Sequence, residues 1–343
     1  MNNIGRDYKI EYLRCFATIA VIILHSFGQP LSIFSMDKLG NVTSYVYNII
    51  QLSCRWAVPC FFMITGALLL NPGKELSLSK IKKYVLRISF VLFLFGSVFA
   101  FMELFFEERI INPYFIFSSL LNTLQNKSWS HLWYLYTLIS LYLITPILRS
   151  AVKEINKTEY FFTLIILIIG NIVIANLNYY TGLEISNFML FPECLLYYLT
   201  GYFIIKYETE IHFTVPILLL AGFISFMLNA LISSLYLYKN GVRSDFLESP
   251  ANILVFILSI SVFLLSRKFL EKKSKFITRS VAILSSTGLT VYIIHPVFLN
   301  FIYKFCHYTP EYGGAFIVAI ITIFASVFLS YILKKLPFLK KIL

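Results

Sequence analysis

Ile10–Gly28 reads IEYLRCFATIAVIILHSFG. A membrane span needs about 20 mostly apolar residues, and this stretch qualifies while carrying Glu11, Arg14 and His25. Ionisable groups inside a bilayer are costly and mark function by default. A helix turns about 100° and rises about 1.5 Å per residue, so Arg14 and His25, eleven steps apart, share one face about 16 Å apart. Arg14 can snorkel to the nearer surface; His25 sits near the middle of a core about 30 Å thick. Glu11 lies one turn before Arg14 and can orient its guanidinium.

The rest of the chain extends this pattern. Of its 343 residues, 58% are hydrophobic and only 13% charged, against about 45–50% and about 25% in soluble domains. The expected fold is all-α and polytopic. Ten spans are predicted, at about 10–28, 46–70, 88–106, 132–149, 160–178, 188–206, 213–236, 250–268, 286–303 and 314–333. With the N-terminus cytoplasmic, 21 of the 29 Lys and Arg residues fall on the inner side and six on the outer, while Arg14 and Arg55 lie within spans. That asymmetry predicts that both termini are cytoplasmic. It also accounts for the net charge of +12 without a nucleic-acid partner. The loops are too short for a soluble domain, so the expected organisation is a single transmembrane domain, 1–343. Residues 10–28 lack a signal-peptide cleavage pattern and read as a retained span. The five cysteines show no metal-ligand spacing, so neither a metal site nor a disulfide framework is expected. Pro59 is expected to kink the second span.

Arg14 can hold a donor phosphate by bidentate hydrogen bonds. His25 can act as general base on an acceptor hydroxyl, or take up the acyl group itself. Spacing alone also admits plainer roles: a histidine bridging to a neighbouring helix, and an arginine anchoring a cytoplasmic helix end.

Five segments together resemble the membrane-bound acyltransferase family 3, the ten-helix O-acetyltransferases of bacterial surface sugars. They are Ile10–His25 (IEYLRCFATIAVIILH), Arg55–Leu70 (RWAVPCFFMITGALLL), Ser130–Leu148 (SHLWYLYTLISLYLITPIL), Leu196–Ile204 (LYYLTGYFI) and Gly288–Phe298 (GLTVYIIHPVF). The resemblance implies a bacterial cytoplasmic-membrane enzyme that takes acetyl-CoA as acyl donor from the cytoplasm. It would deliver acetyl to a hydroxyl of a surface polysaccharide or its lipid-linked precursor. It matches His25 and Arg14 to the family's essential histidine and arginine. Relatives often carry Asp where this chain has Glu11; the charge is kept.

Further candidates follow from position. Lys80, Lys83 and Arg87 precede the third span on the inner side and can meet coenzyme A phosphates, although positive-inside bias explains each equally well. His295 falls at about the depth of His25, nine residues (about 14 Å) into the ninth span. It can flank the same reaction centre or bridge helices beside Pro296. Arg55, Glu103, Glu193, His131 and Trp133 fall toward the outer side. They can line an acceptor pocket, or Arg55 can pair with Glu103 or Glu193. The contrasting reading is a transporter or flippase of a lipid-linked sugar. Such proteins often show repeated halves with broken helices, and no repeat is visible here.

Overall fold

The computed structural model describes residues 7–73, 75–110, 112–186, 192–269 and 275–342. Helices carry the whole architecture, and no strand occurs among these residues. In chain order the main ones are α1 (Tyr8–Gly28), α2 (Asn41–Ser53), α3 (Ala57–Leu69), α4 (Leu78–Glu108), α5 (Tyr114–Leu124), α6 (Trp133–Glu154) and α7 (Lys157–Ile168). They continue with α8 (Ile174–Thr181), α9 (Glu193–Lys206), α10 (Val215–Asn240), α11 (Asp245–Glu248), α12 (Ile253–Phe269), α13 (Lys275–Leu299) and α14 (Gly314–Leu333).

Local chemistry sets the helix ends. The Asp7 carboxylate caps α1 by accepting from the backbone N–H of Lys9 (3.0 Å) and Ile10 (3.3 Å), satisfying donors the first turn leaves open. Asn156 and Glu159 form a reciprocal capping box at the start of α7. Gly182 and Gly241 close α8 and α10 in the left-handed conformation, which glycine adopts without steric cost.

Nine helical stretches among the described residues are long and apolar enough to cross a membrane. The protein is therefore an all-α polytopic membrane protein. The expected sixth span, 188–206, is the exception. Its helical part, α9, has 14 residues, and 187–191 lie outside the described residues. α9 is buried on nearly every face, so protein rather than lipid surrounds it.

The second span is broken, but not at Pro59. The break is a turn at Cys54–Trp56 between α2 and α3. Pro59 falls in the first turn of α3, where its missing N–H would have had no helical partner anyway, so it starts a helix rather than bending one.

Two compact units divide the chain. One comprises the N-terminal segment to Asn71 with Ile155–Val327; the other comprises Pro72–Glu154 with Phe328–Leu343. In the first, α1 packs against α2, α3, α12 and α13, and α9 packs against α3. The α3–α9 crossing is antiparallel and very close. A Cβ on Gly66 would lie 1.8 Å from the Tyr198 carbonyl oxygen, and one on Gly201 would lie 2.0 Å from that of Met63. Glycine is required for this backbone approach. In the second unit α4 packs on α5 and α6, and the Ser128 hydroxyl donates to the Gly96 carbonyl at 2.8 Å.

Two predictions follow. Gly66→Ala or Gly201→Ala lowers folding stability by about 1–3 kcal/mol or more, the range for overpacking. Reversible unfolding in detergent reads this, and an unchanged midpoint would refute the close crossing. Cys306 is exposed while the other four cysteines are buried, and the orientation expected from the charge asymmetry would put Cys306 outside. A membrane-impermeant maleimide added to intact cells labels Cys306 and spares Cys15, Cys54, Cys60 and Cys194. Labelling only after permeabilisation would reverse the orientation.

Candidate active site

The first unit is organised by one helix pair. α1 and α13 run parallel, and residues about 270 apart meet from Arg14 and Ser285 to Gln29 and Asn300. An Arg14 guanidinium nitrogen donates to the Ser285 hydroxyl at 3.3 Å. One turn on, a Cβ on Gly288 would lie 3.1 Å from the Thr18 hydroxyl oxygen. The rings of His25 and His295 then face each other with centroids 5.2 Å apart. Beyond them, the Gln29 side-chain amide donates to Asn300. The structure thus places Arg14, His25 and His295 on one seam, with Glu11 buried one turn below Arg14.

The seam also settles a tautomer. Pro296 has no N–H, so the Tyr292 carbonyl lacks its usual helical donor. His295 Nδ1 lies 2.7 Å from that oxygen. A carbonyl can only accept, so Nδ1 carries the proton and Nε2 the lone pair. His295 is fully buried, whereas His25 is half-buried. Of the two rings, His25 is the one open to an incoming group.

At the Gly28 end of α1 lies a charged cluster. Arg55 sits in the break between α2 and α3. Its guanidinium donates to Gln51 and pairs with Glu248. Glu248 also accepts from Arg243 at 2.7 and 3.0 Å and from the Gln51 amide at 2.8 Å. The partner of Arg55 is therefore Glu248, and not the expected Glu103 or Glu193. Glu248 ends the short helix α11, five residues before α12 begins at Ile253, and Arg243 stands five residues earlier in the chain.

The remaining candidates lie elsewhere. Glu193 opens α9 in the first unit, where the helix N-terminus favours its charge. Glu103, His131, Trp133, Lys80, Lys83 and Arg87 belong to the second unit. There the Glu103 carboxylate accepts from the Trp129 indole at 3.1 Å. Trp129 stacks on Phe99 at 4.4 Å, and His131 is buried beside both. Trp129, rather than the exposed Trp133, is the indole lining a polar cavity of about 390 Å³ with Glu103, Glu107, Asn122 and Lys127. Arg87 Nε donates to the Ile342 carbonyl at 2.8 Å, while Lys80 and Lys83 are exposed.

Compared with known families, residues 7–335 match the acyltransferase domain of the acyltransferase 3 family. The chain belongs to that family. No curated protein and no solved structure matches it. The match covers the α1–α13 seam and the Arg55–Glu248 cluster, so the chemistry of the family is acyl transfer.

Trp129→Phe keeps the stack on Phe99 and removes the donor to Glu103. A hydrogen bond to a charged group is worth about 1.5–3 kcal/mol. The variant loses stability on that scale in detergent unfolding; an unchanged midpoint would show the contact to be energetically idle.

Proposed function

We propose that the protein is a vectorial membrane O-acetyltransferase of the bacterial cytoplasmic membrane. It moves acetyl from cytoplasmic acetyl-CoA to a hydroxyl of a surface polysaccharide or its lipid-linked precursor. Within the family we propose an O-acetyltransferase of the enterobacterial common antigen type. The observation that carries the reading is the seam: Arg14 at one level, two facing histidines about 16 Å further along the same helix, in a chain of an acyltransferase family.

The roles follow from position. Arg14, already turned toward α13 by Ser285, offers its free guanidinium edges to the donor's phosphates or pantetheine carbonyls, and Glu11 helps orient it. His25 takes the proton of the acceptor hydroxyl as the oxygen attacks the thioester carbonyl. The C–S bond then breaks, and the coenzyme A thiolate leaves and receives that proton. In a two-step variant His25 first carries the acetyl and the hydroxyl attacks second; the residues are the same. His295, held with Nε2 as its lone-pair nitrogen, supports the positive charge that builds on His25. Arg55 and Glu193 serve the acceptor side.

The test uses purified protein in sealed proteoliposomes, with radiolabelled acetyl-CoA supplied to the cytoplasmic face. Wild type binds and slowly hydrolyses the donor. His25→Ala, inserted normally, loses at least about 100-fold in turnover, the lower range for a general base. His295→Ala loses turnover while still binding donor. An active His25→Ala enzyme would remove the mechanism, and no interaction of wild type with acetyl-CoA would favour a transporter.

A further inference from the structure

We infer that Arg55 and Arg243 form a binding site for a phosphoryl group on the acceptor, with Glu248 as an internal counter-ion that the anion displaces. The word acceptor rests on the acyl-transfer reading above; the anion site itself does not.

Two guanidiniums converge on one carboxylate. Arg55, Arg243 and Glu248 have side chains only 18%, 17% and 10% exposed. One carboxylate neutralises one arginine, so the cluster keeps one excess positive charge in a largely desolvated position. Such a charge is costly within a membrane protein and calls for a partner. Asp245, on the same short helix, also acts electrostatically on Arg55, but it is exposed and water weakens that effect. The far end of the same unit shows the opposite arrangement. There Arg267 is met by two carboxylates, Asp7 at 2.7 Å and Glu208 at 2.8 Å. That arginine is saturated; Arg55 and Arg243 share one acid.

The cluster is also shaped for an oxyanion. Gln51 is fully buried and its side-chain oxygen accepts from Arg55 Nε at 2.8 Å, which fixes the plane of the guanidinium. Arg243 is likewise tied to Ser32. Two oriented forks suit the tetrahedral oxygens of phosphate better than a single carboxylate does.

Position links the cluster to the reaction. An Arg243 guanidinium nitrogen lies 3.6 Å from where a Cβ on Gly28 would be. Gly28 follows His25 by three residues, and such neighbours on a helix are about 5–6 Å apart. A phosphoryl group held here leaves the sugar attached to it beside His25.

The experiment measures binding by calorimetry to the full-length protein in phosphatidylcholine nanodiscs. The probes are inorganic pyrophosphate, a polyprenyl phosphate and the neutral polyprenol. Wild type binds polyprenyl phosphate more tightly than polyprenol. Glu248→Gln, which removes the competing charge, binds it about tenfold more tightly still, and Arg243→Gln about tenfold more weakly, each the scale of one charge-assisted hydrogen bond. Arg243→Lys, which keeps the charge and protects folding, lies between wild type and Arg243→Gln. Pyrophosphate binding with the same ranking means that the phosphoryl group suffices; binding confined to polyprenyl phosphate means that the group is lipid-borne. The inference is overturned if Glu248→Gln binds no probe, if both substitutions shift affinity in the same direction, as for a purely structural clamp, or if polyprenol binds equally well. No acetyl donor is present, so that failure would leave the acyl-transfer reading standing.

Discussion

The parallel pairing of α1 and α13 is the constraint on which the site depends. Parallel helices cannot be joined by a short turn, so the chain travels through most of its length before α13 returns beside α1. The return is registered by small and polar groups: Ser285 under Arg14, Gly288 against Thr18, and Asn300 against Gln29. A shift of one residue would rotate α13 by about 100° and carry His295 away from His25. The two histidines face each other because contacts above and below them leave no other register.

The ends of that pair carry opposite charge patterns. At the start of α1, Arg267 joins Asp7 to Glu208 and stands between two acids. At its end, Glu248 stands between two arginines. Each cluster ties elements distant in sequence to the helix that bears His25. Buried ion pairs contribute little net stability once desolvation is counted, and their better-attested role is to specify one arrangement. Here that arrangement fixes both ends of α1, while the apolar stretch between them supplies most of the burial.

Much of this was legible in the sequence because length and hydropathy determine a span. Nine of the ten expected spans correspond to long apolar helices among the described residues. α9 is shorter than the rest, with 14 helical residues among the described ones and 187–191 outside them; its burial against α3 through Gly66 and Gly201 was not legible, since hydropathy does not distinguish lipid from protein. Pro59 misled because a proline's effect depends on its place in the helix, and that place was set by the turn at Cys54–Trp56. The shared face of Arg14 and His25 was readable from helical periodicity alone. The partners of Arg55 were not. Glu248 is 193 residues away, and no local pattern ranks it above Glu103 or Glu193. Trp129 and Trp133 differ by one helical turn, and only the fold shows which indole meets Glu103.

A base that activates a hydroxyl will also activate water, so an acyltransferase must favour its acceptor by placement. The environment of the histidine pair contributes part of that preference. Val291, Ile293 and Ile294 are buried around His295, which leaves the half-buried His25 as the side from which a nucleophile enters. Apolar walls limit water but do not select a sugar. Selection needs a group that water lacks, and fixed charge at the Gly28 end of α1 provides one. On the proposed reading, an acceptor tethered there by its own negative charge would present its hydroxyl to His25 at high effective concentration, and holding reactants in this way can account for several kcal/mol of a barrier, up to about 7–11. Water gains nothing from two arginines. On the proposed reading, an acceptor anchored at Arg55 and Arg243 and the base at His25 would meet at one end of α1, since Arg243 lies against Gly28, three residues from His25.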